Sequence, residues 1–282
     1  MCLVRADHPV PTFPPQLASH AEPLDAAALA AAGYATVVHL PVADSTMVEA
    51  RRLAADPATR LPAVVIADRQ LSGRGRRGAG WWQADGSLAA SIVADGPAFG
   101  LTTASPQPVW SLACGVVLAE TIRACEPETD VRIKWPNDLE VAGRKLAGII
   151  VEAHASGRTI FGIGVNTAGS GTAAPAGLRD RIVTLPDLVG HALSRSRLLA
   201  AWLQRLQLLL REMDADPAAL ARRYLPLCCL TGRVVTIHVG TQQHSGLCHG
   251  IAGDGGLVID TPAGPRTFAS GSLTPPGSEW HQ

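Results

Sequence analysis

The chain has 282 residues, 47% of them hydrophobic, enough for one sizeable core or a large unit plus a small one, and too apolar for a disordered chain. Lysines and arginines balance aspartates and glutamates, 24 against 24. No global field therefore favours nucleic acid or an anionic membrane, and any anion site must be local. No window has the apolar length of a membrane-spanning helix, and residues 1–15 carry charges and prolines where a secretion signal would carry its apolar run. The six cysteines (Cys2, Cys114, Cys125, Cys228, Cys229 and Cys248) contain no C-x-x-C pair, and the nine histidines show no metal-ligand spacing. A disulfide framework or zinc site is not expected, and a cytoplasmic location is.

Residues 1–35 read as a Pro- and Ala-rich lead-in without assigned function, holding one short helix over 24–32. The pattern sharpens with a strand over 36–40. Asp44-Ser45-Thr46 then offers cap residues before a helix over 48–55. The apolar run 62–68 reads as a buried strand, followed by a Gly/Arg loop over 73–80 and a strand over 87–93. Val109, Leu112, Val116 and Val117 have helical spacing within a core helix over 109–125. Val131, Ile133 and Trp135 alternate with Arg132 and Lys134, as in a strand with one wet face. Pro136 ends it, and Asn137-Asp138 read as a turn.

Strands over 144–152 and 159–165 complete an antiparallel meander, turning at Ala142-Gly143 and Ser156-Gly157. Helices are expected over 198–213 and 217–224. After Thr231, short strands over 234–239, 245–251, 257–260 and 266–269 alternate with Gly-rich turns, the pattern of a small β-barrel. The expected units are 1–35, 36–230 and 231–282. The fold class is α+β: a mixed, largely antiparallel sheet flanked by helices, with a small barrel at the C-terminal side.

Gly73-Arg74-Gly75-Arg76-Arg77-Gly78 matches G-x-G-x-x-G. A dinucleotide fold needs a helix directly after that pattern, and the glycine-rich, aromatic stretch 79–86 does not supply one. The loop's physical content is different. Its glycines let backbone N–H groups converge on an anion, and three arginines add charge.

In order along the chain, four motifs resemble the signatures of biotin protein ligases: Gln70-Leu-Ser-Gly73-Arg-Gly-Arg-Arg-Gly78, Lys134-Trp-Pro-Asn-Asp138, Arg144-Lys-Leu-Ala-Gly148-Ile-Ile-Val-Glu152 and Gly162-Ile-Gly-Val-Asn166. Asp44-Ser45-Thr46 stands where that family has its first biotin contact. The resemblance runs from about Val37 to Leu273. It implies the biotin/lipoate ligase-like sheet with a C-terminal SH3-like barrel. It also implies ATP-dependent activation of biotin to biotinyl-5′-AMP, then transfer of biotin to a lysine of a biotin carboxyl carrier protein domain.

The same resemblance assigns residues. Ser45, Thr46, Gln70, Arg74, Gly75, Arg76 and Lys145 are implied as biotin-binding. Arg74, Arg76, Trp81, Lys134, Asn137 and Asn166 are implied at ATP, and Asp138 at Mg²⁺. Lys145, Arg76 and Lys134 are the implied catalytic set. Such a site must neutralise a carboxylate and an α-phosphate, align them and exclude water, and it needs no covalent enzyme intermediate. By strand alternation Lys145, Ala147, Ile149 and Val151 are expected on one face, with Lys145 pointing into a lined pocket. Trp81 and Trp82 fit a pocket wall or core packing equally, and Glu152 ends an apolar strand and is left outside the set.

The chain departs from the family pattern at Met47, where an asparagine is usual, at Ala79, where another arginine is usual, and at Gly271-Ser272-Leu273, where an acidic residue commonly precedes the last strand. Arg77 stands near enough to compensate for Ala79. Three rival readings stand beside this one, and the departures at Met47 and Ala79 suggest the first: a degenerate, non-catalytic protein that binds biotin without forming the adenylate. Lipoate ligases and octanoyltransferases share the sheet but lack the Gly/Arg loop and the Lys134–Asp138 stretch. A biotin-operon repressor would add DNA binding, which the missing N-terminal winged helix and the neutral charge do not support. No membrane is expected as a partner, and the state is a monomer or homodimer.

Overall fold

The computed structural model describes residues 22–101 and 109–274. Within them, near-continuous apolar runs form the central strands. Residues 63–67 of β2 (Ala63–Gln70) and all of β3 (Leu88–Ala94) are buried, the mark of strands covered on both faces. β1 (Thr36–Ala43), buried only at Val37 and Ala43, lies at an edge. It runs parallel to β2, joined by the crossing helix α2 (Thr46–Ala55). The remaining strands β4 (Arg132–Lys134), β5 (Asp138–Val141), β6 (Arg144–Ala153) and β7 (Thr159–Val165) are antiparallel to their neighbours. The sheet order is β1-β2-β3-β7-β6-β5-β4. The mixed, largely antiparallel sheet expected from the sequence is thus present.

One face of this sheet carries the larger core. Helix α3 (Trp110–Cys125) and helix α5 (Arg195–Ala215) lie on it. In α5, Leu198, Leu199, Trp202, Leu203, Leu206, Leu209 and Leu210 are buried at three- and four-residue spacing. Phe161 of β7 is the aromatic hub, stacked against Trp110 and meeting Phe99 and Trp202 at tilted angles. The short α1 (Ala26–Ala31) packs on α5 through Leu29, and Ser196 Oγ accepts from the Asp25 N–H. The last part of the lead-in therefore belongs to this layer, whereas residues 1–21 lie outside the described residues.

The opposite face carries a smaller core. Met47, Ala50 and Ala54 of α2 pack there on Ala63, Val65, Val93 and Ile160. Beyond the N-terminus of α2 this face is left open, and there the cavity forms.

After helix α6 (Ala219–Tyr224) the chain enters a second, five-stranded antiparallel sheet. It consists of β8 (Val234–Val239), β9 (Gln242–Ile251), β10 (Leu257–Thr261), β11 (Gly264–Phe268) and β12 (Ser272–Leu273), ordered β11-β10-β9-β8-β12. It rests on α3, where Gly255 approaches Val109 and Leu112 so closely that a Cβ there would meet them at about 3 Å. No helix among the described residues is long and apolar enough to cross a membrane.

Two local expectations are corrected and one helix is added. β4 stops at Lys134, because Trp135 turns away to bury its indole against the second sheet and donate to the Gly255 carbonyl at 3.0 Å. Asp138 is the first residue of β5, paired with Lys134, so the turn is made by residues 135–137. A helix missing from the sequence reading, α4 (Leu185–Val189), starts at a capping box between Thr184 and Asp187, a spacing that was legible in the chain.

Candidate active site

Register places small residues across the open face. Ala67 of β2 lies opposite Ala89 of β3, Ala89 opposite Gly164 of β7, Gly164 opposite Gly148 of β6, Gly148 opposite Asp138 of β5, and Asp138 opposite Lys134 of β4. The adjacent row is Val65, Ser91, Gly162 and Ile150. Directly paired residues project to the same side of a sheet, so these rows form one floor. Over it lies a cavity of about 240 Å³. Its walls are the start of α2, the loop over 73–80 and the Asp138–Lys145 corner.

The glycines are there for space. A Cβ on Gly164 would fall 2.6 Å from the Trp81 ring, and one on Gly162 2.6 Å from Met47 Sδ. Gly148 would meet both Trp81 and Lys145 at 3.3 Å. Trp81 therefore packs closely on bare backbone at Gly148 and Gly164, as strand glycines allow.

At one end of the cavity the polar groups are neutral. Ser45 caps α2, its hydroxyl accepting from the Met47 N–H. Gln70 Oε1 accepts from the Thr46 N–H at 2.9 Å and from Thr46 Oγ1 at 3.2 Å, and Ser91 Oγ donates to Thr46 Oγ1 at 2.8 Å. The Gln70 N–H donates to Gln83 Oε1, and Gln83 Nε2 donates to the Asp68 and Ser87 carbonyls. Asp68 in turn accepts from the buried guanidinium of Arg195 at 2.7 Å and pairs with His39 at 2.9 Å. Burial would raise the Asp68 pKa, but the hydrogen bonds and charges of His39 and Arg195 outweigh it and hold the carboxyl below its ordinary value.

The other end is charged. The loop folds into a narrow hairpin: Arg74 bridges to Gly80, the Gly75 N–H donates to the Ala79 carbonyl, and 76–78 make a single 3-10 turn. Arg76 Nη1 donates to Asn137 Oδ1 at 2.9 Å, while Asn137 Nδ2 donates to the Ile149 carbonyl. Lys145 Nζ donates to Asp138 Oδ1 at 2.7 Å and lies 5.6 Å from the centre of the Trp81 ring, a cation–π distance.

Lys145 reaches this corner by an irregularity. Leu139 pairs with Ala147 but Glu140 pairs with Lys145, so Leu146 is an extra residue on β6. Such a bulge reverses the alternation. Lys145 consequently shares its face with Gly148, and Ala147 and Ile149 go to the larger core. The expected grouping of Lys145 with Ala147, Ile149 and Val151 is corrected; the expected direction of Lys145, into the pocket, holds.

Of the residues singled out in the sequence, Ser45, Thr46, Gln70, Arg74, Gly75, Arg76, Trp81, Asn137, Asp138 and Lys145 line this one cavity. Lys134 stands on the same face but on the edge strand, beyond the lining. Asn166 is buried behind β6, its backbone N–H donating to Leu146 and its side chain to the Val183 carbonyl, and its Oδ1 has no hydrogen-bond partner. Glu152 pairs with Arg51 away from the cavity. Ala79 is exposed at the rim; the Arg77 side chain lies outside what the structure describes. Sequence reasoning missed Ser91, Gly164 and Gln83. The spacing of Gly162 and Gly164 within one strand was the available signal for the floor.

Residues 41–168 match the Biotin/lipoate A/B protein ligase family. The chain is similar to the biotin–(acetyl-CoA-carboxylase) ligase of Paracoccus denitrificans, 34% identical over 241 residues, covering 82% of this chain and 96% of that protein. It is 30% identical over 220 residues to the bifunctional ligase/repressor of Escherichia coli (strain K12), covering 74% of this chain and 65% of that one. Its fold is shared with the biotin protein ligase of Aquifex aeolicus in complex with biotin and ATP, with a TM-score of 0.71 at 24% identity, over 86% of this chain and 98% of that one.

Proposed function

The chain belongs to the biotin protein ligase family, and from that premise we propose that its cavity holds biotin and ATP end to end. The product would be biotinyl-5′-adenylate, and the biotin would then pass to a lysine of a biotin carboxyl carrier protein domain. The observation carrying this reading is the two-ended cavity: a neutral hydrogen-bonding cluster of Thr46, Gln70 and Ser91 opposite a corner with Arg74, Arg76 and Lys145. A ureido ring needs neutral donors and acceptors, whereas a carboxylate meeting a phosphate needs cations.

In the first step a biotin carboxylate oxygen bonds to the α-phosphorus, and the bond to the leaving pyrophosphate breaks. Lys145 neutralises the two approaching anions, Arg74 and Arg76 close over them, and Trp81 shields the mixed anhydride from water. Asn137 is held by Ile149 and in turn orients Arg76. Lys134 extends the basic edge toward the outer phosphates. In the second step an uncharged carrier lysine attacks the acyl carbon and AMP departs.

Asp138 is the carboxylate suited to a Mg²⁺ that arrives on the triphosphate. Such an ion keeps its waters and phosphate oxygens and asks little of the protein. That agrees with the lack of any group of three His, Cys, Asp or Glu ligands among the described residues. When bound, the ion would offset phosphate charge.

Pyrophosphate release with MgATP, comparing biotin, lipoate and octanoate, tests the reading. Biotin-dependent release is expected, falling about 10³-fold in Lys145→Ala. Release with lipoate alone, or none with biotin, overturns it.

A further inference from the structure

The neutral end of the cavity contains an apolar side chain, at the start of α2, that takes no part in its hydrogen bonding. Met47, second residue of α2, is 7% exposed and lines the cavity beside Thr46. Its thioether lies on the bare backbone of Gly162, where a Cβ would come within 2.6 Å of Sδ and 3.3 Å of Cγ. Gly162 is the register partner of Ser91, whose hydroxyl donates to Thr46, and of Ile150 on the other side. The flexible thioether thus occupies the space between the polar cluster and the floor. A methionine there offers soft apolar surface and no strong donor or acceptor.

We propose that Met47 and Gly162 form a size gauge, with Met47 the specificity-determining residue for the ring system that enters the neutral end. This rests on the reading of that end as the biotin-ring site. The absence of a side chain at position 162 lets the thioether lie flat; its length then sets the room left for the ring. An added carbon at 162 would push the thioether into the ring space, and shortening residue 47 would return that space.

The test is a reciprocal size swap, read by kcat and KM for pyrophosphate release and by calorimetric biotin binding. Gly162→Ala should raise the biotin KM about tenfold or more, with kcat changing far less. Adding Met47→Ala should bring KM back to within about threefold of the parent. Met47→Ala alone should raise kcat/KM for a ring-enlarged substrate, N1′-methylbiotin or biotin sulfone, relative to biotin by about tenfold. If Gly162→Ala does not fold, the selectivity of Met47→Ala decides by itself. Unchanged selectivity in Met47→Ala, in a parent that releases pyrophosphate with biotin, would overturn the gauge alone. No biotin-dependent release from the parent would overturn the underlying reading and the gauge with it.

Discussion

At the neutral end of the cavity, Thr46, Gln70 and Ser91 stand on α2, β2 and β3 and hydrogen-bond one another, and Gln83 and Asp68 brace them back to the buried Arg195. At the charged end, Arg74 and Arg76 come from a glycine hairpin, and Lys145 is already paired with Asp138. One end is made of regular elements whose polar groups hold one another in place. The other is made of a loop and an ion pair, which under the proposed reading would exchange partners for the anions. Recognition of an uncharged ring gains from fixed geometry. Charge neutralisation tolerates movement, because long cationic side chains can follow the phosphates.

The sharpest way to break this contrast is at the ion pair. Asp138→Asn keeps the shape of the side chain but loses the charge that holds the Lys145 ammonium. We expect kcat for pyrophosphate release to fall about 100-fold through misplacement of Lys145, while calorimetric biotin affinity stays within about twofold. A comparable loss of biotin affinity would mean that the two ends are not separately built.

The sequence told these ends apart unevenly, for physical reasons. The charged loop was legible because glycine and arginine in Gly73–Gly78 carry their chemistry locally, whatever the chain does elsewhere. Ser45-Thr46 was legible as a helix start for the same reason. The floor was not, because which residues face a cavity depends on register between strands distant in the chain. The extra residue Leu146 shows how little is needed: one bulge moved Lys145 off the face that simple alternation assigns it. Trp135 followed the alternation of its neighbours in sequence but obeys a carbonyl 120 residues away. Asn166 lay in a recognisable motif, yet its side chain donates to Val183 and its position is outside the lining.

A milder way to probe the neutral end is through the far side of α2. Arg158, just before β7, donates to the carbonyls of Leu53, Ala54 and Asp56 where the helix ends. A guanidinium at a helix C-terminus satisfies orphan carbonyls and complements the dipole. Arg158→Ala should cost about 1–2 kcal/mol. It should also weaken biotin binding severalfold, because α2 carries Ser45, Thr46 and Met47 at its other end. Thermal melting and calorimetry check both, and lost stability with unchanged binding would show the N-terminus of α2 to be held by its own contacts alone.

The smallest expected effect concerns the brace behind Gln70. Asp68 has a depressed pKa in the folded chain, because the interactions with His39 and Arg195 outweigh burial. Unfolded, it should titrate near the ordinary value of 3.8. A depressed carboxylate contributes stability that is fully present above the unfolded value and is lost as pH falls through the folded one. Asp68→Asn removes that contribution and leaves Arg195 without its charged partner. The melting temperature of the variant should therefore lie below that of the parent at neutral pH, and the gap should narrow as pH falls below 3.8. A gap independent of pH would mean that the side chain acts through packing. The brace would then hold Gln70 by shape, and the neutral end would owe nothing to the charge behind it.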